Sequence, residues 1–180
     1  MAITADHIRT VVSDYLDAYP EEKRCLAPVL ELLDDGADLT SRGEFRGHVT
    51  AGAILADPEG RILHIHHLAL DRWLLPGGHV EASDGTLLDA ALRELAEETG
   101  IPAAVVTPDG DRPVHIDIHP IPANPAKGEP DHRHIDFRFL LRTADEVGTL
   151  QTEEVTAAAW READSIKDPI LRQRVTRALR

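Results

Sequence analysis

The chain has very few sulfur-containing and aromatic residues, and this composition limits the kinds of site that it can form. A single cysteine, Cys25, rules out an internal disulfide and a cysteine-rich metal site. Two tryptophans, two tyrosines and three phenylalanines leave few rings to stack on a nucleobase. No apolar run approaches the ~18 residues of a membrane span, and the opening segment MAITADHIRT lacks the basic and apolar regions of a secretory signal. We therefore expect a cytoplasmic protein with no membrane segment.

Positive charge is also in short supply. The 19 lysines and arginines face 32 aspartates and glutamates, which gives a formal net charge of -13. Such a charge repels a phosphate backbone and argues against stable nucleic-acid binding. A metal ion and a few local arginines can still reverse the potential inside one pocket. A small phosphorylated substrate therefore remains compatible with the composition.

The order of the predicted elements favours an α/β fold with an N-terminal helical extension. Residues 1–44 contain two apolar stripes at helical spacing, and residues 45–180 alternate strands with helices. A helix is predicted over 86–99, ended by Gly100. Beyond it we predict a strand over 114–118, a long proline-containing loop over 119–131, and a strand over 134–141.

The predicted helix over 86–99 carries an unusual concentration of carboxylates. Glu97 and Glu98 follow Glu94 by three and four residues, so that all three converge on one side of the helix. They also lie near its C-terminal end, where the helix dipole disfavours anions. A solvated acidic face is one interpretation of this pattern. The glycine pair Gly77–Gly78 upstream favours the other, a site for Mg²⁺ or Mn²⁺, which prefer such hard oxygen ligands.

The segment GGHVEASDGTLLDAALRELAEETGI, from Gly77 to Ile101, closely resembles the Nudix box, G-x5-E-x7-R-E-U-x-E-E-x-G-U with U a bulky aliphatic residue. Gly78 matches its first glycine, and its second half is matched by Arg93, Glu94, Leu95, Glu97, Glu98, Gly100 and Ile101. The loop half departs from it: Asp84 stands in place of a glutamate, and one extra residue precedes Arg93. We predict that Asp84 caps the helix beginning near Thr86 rather than serving as the family's loop glutamate.

The resemblance implies a Nudix-type α/β/α sandwich with a mixed sheet. It also implies Mg²⁺- or Mn²⁺-dependent hydrolysis of a nucleoside diphosphate linked to another moiety, such as ADP-ribose or a nucleotide sugar. By the same resemblance the metal ligands would be the Gly77 carbonyl, Glu94, Glu97 and Glu98. Arg93, Glu97 and Glu98 would act in catalysis, with Arg93 orienting a glutamate. The catalytic base would come from Glu154, with Glu81 and Glu153 as the other candidates.

Histidines are abundant, at ten in the chain. His132, His134 and Asp136 alternate and therefore share one face of a strand. They fit either substrate contacts, together with Arg138, or an ordinary polar sheet face; a second metal site is a third reading. His79 directly follows the glycine pair and is a plausible phosphate contact. We also predict that residues 119–134 determine the substrate.

Two other functions fit the same resemblance. The chain could be a non-catalytic, nucleotide-binding Nudix-like regulatory domain, although the complete glutamate set argues against this. It could also be an isomerase of the isopentenyl diphosphate type, which would need a reactive cysteine in the pocket, whereas Cys25 lies in the N-terminal segment. A homodimer formed through the N-terminal helices is a further prediction.

Overall fold

The structure is a computed structural model that describes residues 2–148, 150 and 154–180. Its α-helices are α1 (Ala5–Ala18), α2 (Lys23–Asp34), α3 (Leu87–Thr99) and α4 (Pro169–Ala178). Its strands are β1 (His48–Ala56), β2 (Ile62–His67), β3 (Arg72–Leu74), β4 (Gly77–His79), β5 (Thr107–Pro108), β6 (His115–Ile121), β7 (His132–Arg142) and β8 (Val155–Arg161). Glu153, one of the candidate bases, lies outside the described residues.

The strands form one mixed sheet, as predicted. The order β3-β2-β1-β7-β5 forms its main path, with β4 beside β1, β6 beside β7, and β8 beside β2. The β1–β7 pair is parallel and in register from His48 opposite His134 to Ala56 opposite Arg142, whereas the other pairs are antiparallel. The longest strand contact therefore joins two segments that are far apart in the sequence.

Helices cover both faces of the sheet, which confirms the predicted α/β/α sandwich. One face buries alternate residues of β1, such as Ala51 and Leu55, against Leu95 of α3 and against α1 and α2. The opposite face packs Ile54 and Leu140 against α4. The part of this second face that α4 leaves uncovered carries polar side chains. Among the described residues, no helix has the length and apolar composition needed to cross a membrane.

The N-terminal helices are part of the main core. Ile8, Val12 and Tyr15 of α1 and Leu26 and Val29 of α2 are fully or almost fully buried with the apolar residues of α3 and the sheet. Burial of such side chains is worth roughly 1.5–3 kcal/mol each. Helices α1 and α2 therefore help to stabilise the sandwich. The division at residues 1–44 and 45–180 stays a prediction.

Helix α3 begins and ends where local signals require. The Thr86 side chain accepts a hydrogen bond from the Asp89 N–H at 3.0 Å, which satisfies one of the free donors of the first turn. Gly100 ends the helix in the left-handed conformation at φ 69°. These two residues fix which turn of the helix carries the glutamates.

The proline-containing loop is shorter than predicted. Strand β6 continues to Ile121 and includes Pro120, which lies opposite Arg133 of β7. Among the described residues β6 pairs with β7 alone, so it is an edge strand, where a proline needs no outward N–H partner. The connection to β7 covers residues 122–131 and is closed by an antiparallel bridge between Asn124 and Glu129.

Candidate active site

The glycine pair brings the backbone of β4 directly against the carboxylates of α3. A Cβ atom added at Gly78 would lie 2.6 Å from both the carboxyl carbon and Oε1 of Glu94. Gly77 has φ 153°, and a Cβ there would lie 2.7 Å from the carbonyl oxygen of Ala51. A side chain at either position would therefore push α3 or β1 away. The two glycines are needed for close approach, as the sequence suggested.

The backbone of this glycine turn holds the side chain of Glu98 in place. The Oε2 atom of Glu98 accepts a hydrogen bond from the Gly77 N–H at 2.9 Å, and the residue is 3% exposed. The pKa of Glu98 is raised to about 8, chiefly by burial and also by the nearby charges of Glu94 and Glu154, while the hydrogen bond from the Gly77 N–H acts in the opposite sense. Burial also raises the pKa of Glu94, although Arg93 opposes the shift. Both carboxyls thus lie in surroundings that disfavour their charged form.

Arg93 joins the loop to the helix. Its Nε and Nη2 contact the two carboxylate oxygens of Asp84, each at 3.0 Å, and its Nη2 also donates to the His79 carbonyl at 2.8 Å. Its Nη1 reaches Glu94 at 3.0 Å and Glu97 at 2.9 Å. The prediction that Asp84 caps α3 is wrong, because Thr86 has that role. The fork predicted for a glutamate is made with Asp84.

The remaining acidic candidates lie around this core at different depths. Glu97 has a side chain that is 48% exposed, so it faces solvent while contacting Arg93. Glu81 is 53% exposed, with its carboxylate 4.0 Å from Arg93 Nη1. Glu154 is exposed at the start of β8 and lies close enough to Glu94 and Glu98 to raise the pKa of both. The fold therefore brings Glu154 close to Glu94 and Glu98 from a distant part of the sequence.

The donor set fits a divalent metal ion. Glu94 and Glu98 are buried, carry raised pKa values and converge beneath a backbone that leaves no room for a side chain. A divalent cation would supply the positive charge that this arrangement lacks, and carboxylate oxygens are the ligands that Mg²⁺ and Mn²⁺ prefer. We use the name glutamate cluster for Glu94, Glu97, Glu98 and Glu154.

A second polar group lies across β4 from the glutamate cluster. Alternate residues of a strand point to opposite faces, so His79 points away from the side on which Gly78 meets Glu94. Its ring lies 5.2 Å from that of His48 and 5.0 Å from that of His134, between centroids. His132 lies 5.2 Å from both His48 and His134. We use the name histidine cluster for these four residues.

Burial dominates the electrostatics of the histidine cluster. The pKa values of His79 and His134 are lowered to about 3, chiefly by burial and also by the charge of Arg42 and by the neighbouring histidines. The pKa of His48 is lowered for the same first reason. The imidazoles of His79 and His134 are therefore neutral at physiological pH. His48 is the member that the sequence alone did not single out, because only the β1–β7 register places it opposite His134.

Arg138 lies on the same face of β7 but is already paired. Its Nη2 lies 2.6 Å from Oδ2 of Asp136, whose Oδ1 accepts from the Thr50 hydroxyl at 3.1 Å. The alternation of His132, His134 and Asp136 on one face is as the spacing indicated. Cys25, by contrast, is exposed on α2 and belongs to neither cluster.

Comparison with known protein families and sequences gives consistent results. The NUDIX domain family matches residues 46–179. A probable DHNTP pyrophosphohydrolase of Lactococcus lactis is 32% identical over 144 residues, covering 77% of this chain and 80% of that protein. Phosphatase NudJ of Escherichia coli is 44% identical over 61 residues, which are 33% of this chain and 39% of NudJ.

Solved structures show the same fold at lower identity. The dihydroneopterin triphosphate pyrophosphohydrolase of E. coli superposes with a TM-score of 0.56 at 21% identity, covering 72% of this chain and 92% of that one. The MutT protein of Methanosarcina mazei gives a TM-score of 0.55 at 20% identity, covering 75% and 94%. At such identities the likeness concerns the fold alone.

Proposed function

Because this chain belongs to the NUDIX family of hydrolases, which act on phosphoric anhydride bonds, we propose that it is a Mg²⁺- or Mn²⁺-dependent pyrophosphohydrolase that cleaves a nucleoside diphosphate linked to another moiety. The observation that carries this proposal is the position of Glu98. It is a buried carboxylate bonded to the Gly77 N–H, beside Glu94, with a pKa raised to about 8. Such a costly arrangement is expected where a cation completes the site.

The roles of the individual residues follow from their positions. Glu94, Glu97, Glu98 and the Gly77 carbonyl would hold the metal, which would activate water and neutralise charge on the phosphate oxygens when bound. Arg93 fixes the loop, the β4 backbone and two glutamates in one arrangement through its contacts with Asp84, His79, Glu94 and Glu97. It therefore acts chiefly by positioning the carboxylates.

For the catalytic base we propose Glu154. It is exposed, and so can reach a water molecule on the substrate side, yet it lies close enough to Glu94 and Glu98 to affect their pKa values. Glu81 is the other candidate among the described residues, but it contacts the outer side of Arg93. The substitutions Glu154→Gln and Glu81→Gln distinguish the two candidates. Loss of the catalytic base should lower kcat more than loss of the other glutamate.

The polar face of the sheet supports binding of the part of the substrate that is not hydrolysed. The predicted substrate-binding residues lie together there, on β4 and β7: His79, His132, His134 and Arg138. The connection over 122–131 leads directly into His132, the first residue of β7. We propose that these residues contact the substrate. We also propose that the protein forms a homodimer through α1 and α2.

A second candidate substrate is dihydroneopterin triphosphate. It is favoured by the Lactococcus lactis relative, whose similarity extends over most of both chains and whose name gives DHNTP as the compound it hydrolyses. A pterin triphosphate also contains phosphoric anhydride bonds and would need the same metal-binding carboxylates. The two candidates differ in the moiety that the polar face must accept.

The test is a substrate panel with the purified protein. ADP-ribose, a nucleotide sugar, a dinucleoside polyphosphate and dihydroneopterin triphosphate are incubated with Mg²⁺ or with a chelator, and the phosphorylated products are quantified. We expect cleavage of one compound class that stops with the chelator. Binding of a nucleotide without cleavage would instead support the regulatory-domain alternative, and cleavage that continues in chelator would contradict a metal-dependent reaction.

A further inference from the structure

We propose that His48, His79 and His134 form a binding site for a transition-metal ion of the Zn²⁺ type, separate from the glutamate cluster. The three residues come from three strands, β1, β4 and β7, and each offers one ligand nitrogen within 4.8 Å of the others. His48 is buried and the other two are half-buried. None of these residues belongs to the glutamate cluster, so binding of a metal ion here can be tested separately from the metal-dependent hydrolysis.

The backbone around His48 sets its ring as a metal ligand requires. Its Nδ1 lies 3.3 Å from the carbonyl oxygen of Glu44, which can only accept a hydrogen bond. Nδ1 therefore carries the proton, and the lone pair of a neutral His48 is on Nε2, which faces the cluster. A hydrogen bond from the second ring nitrogen to a backbone carbonyl is the usual support of a metal-bound histidine.

The spacing of the nitrogens suits a small ion. The Nε2 atoms of His48 and His79 are 3.2 Å apart. Two nitrogens bound to a tetrahedral Zn²⁺ at about 2.0–2.1 Å lie roughly 3.3–3.4 Å from each other. The observed pair already has about this separation, and the ligand nitrogen of His134 lies within 4.8 Å of both.

A hydrogen bond between His48 and His79 does not account for the surroundings of the third residue, His134. Its Nε2 is buried and has no hydrogen-bond partner among the residues that the structure describes. Buried polar atoms are nearly always satisfied, and an unpaired one calls for an unseen water or ion. A bond between His48 and His79 satisfies those two rings and leaves His134 unpaired, whereas a metal ion satisfies all three.

The ligand type separates this site from the glutamate cluster. Three imidazoles without a carboxylate favour Zn²⁺, Co²⁺ or Ni²⁺ over Mg²⁺, which prefers oxygen ligands. Arg42 opposes a cation here, but it is exposed and its field is screened by salt, while Glu129 acts in the opposite sense on His48. Three protein ligands also leave a fourth position for water or a substrate oxygen on the polar face.

The test measures Zn²⁺ binding to the chelator-treated protein by calorimetry, with Mg²⁺ in excess to occupy the glutamate cluster. We expect one Zn²⁺ per chain in the unsubstituted protein and at least about tenfold weaker binding in His48→Gln and His134→Gln. His67→Gln, on β2 outside the cluster, is the matched control and should bind as before. Glu98→Gln should also retain Zn²⁺ binding.

Three outcomes would overturn the site. They are the absence of Zn²⁺ binding in the unsubstituted protein, equal binding in His134→Gln, and a loss that occurs in Glu98→Gln instead of the histidine variants. X-ray absorption of the Zn²⁺-loaded unsubstituted protein gives an answer even if a variant does not fold. Imidazole scattering from about three ligands supports the site, and a shell of oxygen ligands alone contradicts it.

Discussion

Arg93 and Asp84 face each other through two parallel hydrogen bonds, each 3.0 Å long, between a guanidinium edge and a carboxylate. The Asp84 side chain is 4% exposed and that of Arg93 is 18% exposed. Asp84 also accepts the Glu81 N–H at 2.7 Å, so it fixes the loop as well as the arginine. The one-residue insertion after Asp84 is thus accommodated without loss of the connection between loop and helix.

We expect Arg93→Lys to lower activity about 10–100-fold, because an ammonium cannot make the forked contact and leaves the glutamates less well positioned. The loss should appear mainly in kcat. Arg46→Lys is the matched control, since Arg46 makes a similar fork with Glu44 at 2.9 and 2.8 Å but is 55% exposed. Equal activity of Arg93→Lys and the control in steady-state assays would contradict the positioning role.

Glu98→Gln should reduce hydrolysis about 100-fold or more, because the amide retains an acceptor for the Gly77 N–H but loses the anionic oxygen that a metal needs. The control is Glu31→Gln, an exposed position on α2. Activity is measured with the compound identified in the substrate panel, and circular dichroism checks that both variants are folded. If Glu98→Gln turned over normally, the assignment of the site would be wrong.

Gly78→Ala should abolish activity and weaken Mg²⁺ binding while the chain still folds. The added methyl would lie 2.6 Å from the Glu94 carboxylate and displace it. Gly43→Ala is the control, because a Cβ there meets its nearest neighbour, the Ser41 hydroxyl, at an ordinary 3.5 Å. Magnesium titration followed by calorimetry compares the two; equal affinities would show that Glu94 is not a ligand.

The metal-free protein should lose stability as the pH rises from about 7 to about 9, above the ordinary pKa of 6.5 of the histidines, whose lowered pKa values act in the opposite sense at lower pH. The pKa of Glu98 is about 8 in the folded chain against 4.5 for an ordinary glutamate, so in the lower part of this pH range the Glu98 carboxyl is protonated more in the folded than in the unfolded state. The free energy of unfolding then falls with rising pH. Urea titrations of chelator-treated protein across this range measure the fall.

Two comparisons separate Glu98 from other titrating groups in that experiment. Glu98→Gln should flatten the dependence, because the substituted side chain does not ionise. Added Mg²⁺ should raise stability most at high pH, where the buried carboxylate is charged. A stability that rises between about pH 7 and 9 in the chelator-treated, unsubstituted protein would contradict the raised pKa of Glu98.

Replacing the connection over 122–131 with that of a relative of different specificity should change the substrate preference and leave the metal dependence intact. The connection is ordered by the Asn124–Glu129 bridge and by a hydrogen bond from the Ala123 N–H to Asp131 at 2.7 Å. Its replacement therefore should not disturb α3. An unchanged ranking of the substrate panel would remove the loop from the specificity determinants.

Local sequence signals were sufficient for the helix that carries the glutamates. Thr86 and Gly100 mark its ends, and the spacing of Glu94, Glu97 and Glu98 places them on one side, because a helix repeats within a few residues. The same reasoning misassigned Asp84. An acidic residue before a helix can cap the helix or pair with an arginine. Which of the two occurs depends on the path of the loop, and neighbouring residues in the sequence do not determine that path.

The residues of the histidine cluster come together only in the tertiary structure. His132 and His134 share a face by strand alternation, which the sequence shows, but His48 joins them only through the parallel register of β1 with β7. That register pairs positions as far apart as Thr50 and Asp136, 86 residues along the chain. Strand pairing over such a distance is selected by the packing of the whole core, whereas helix spacing and caps are selected by neighbouring residues.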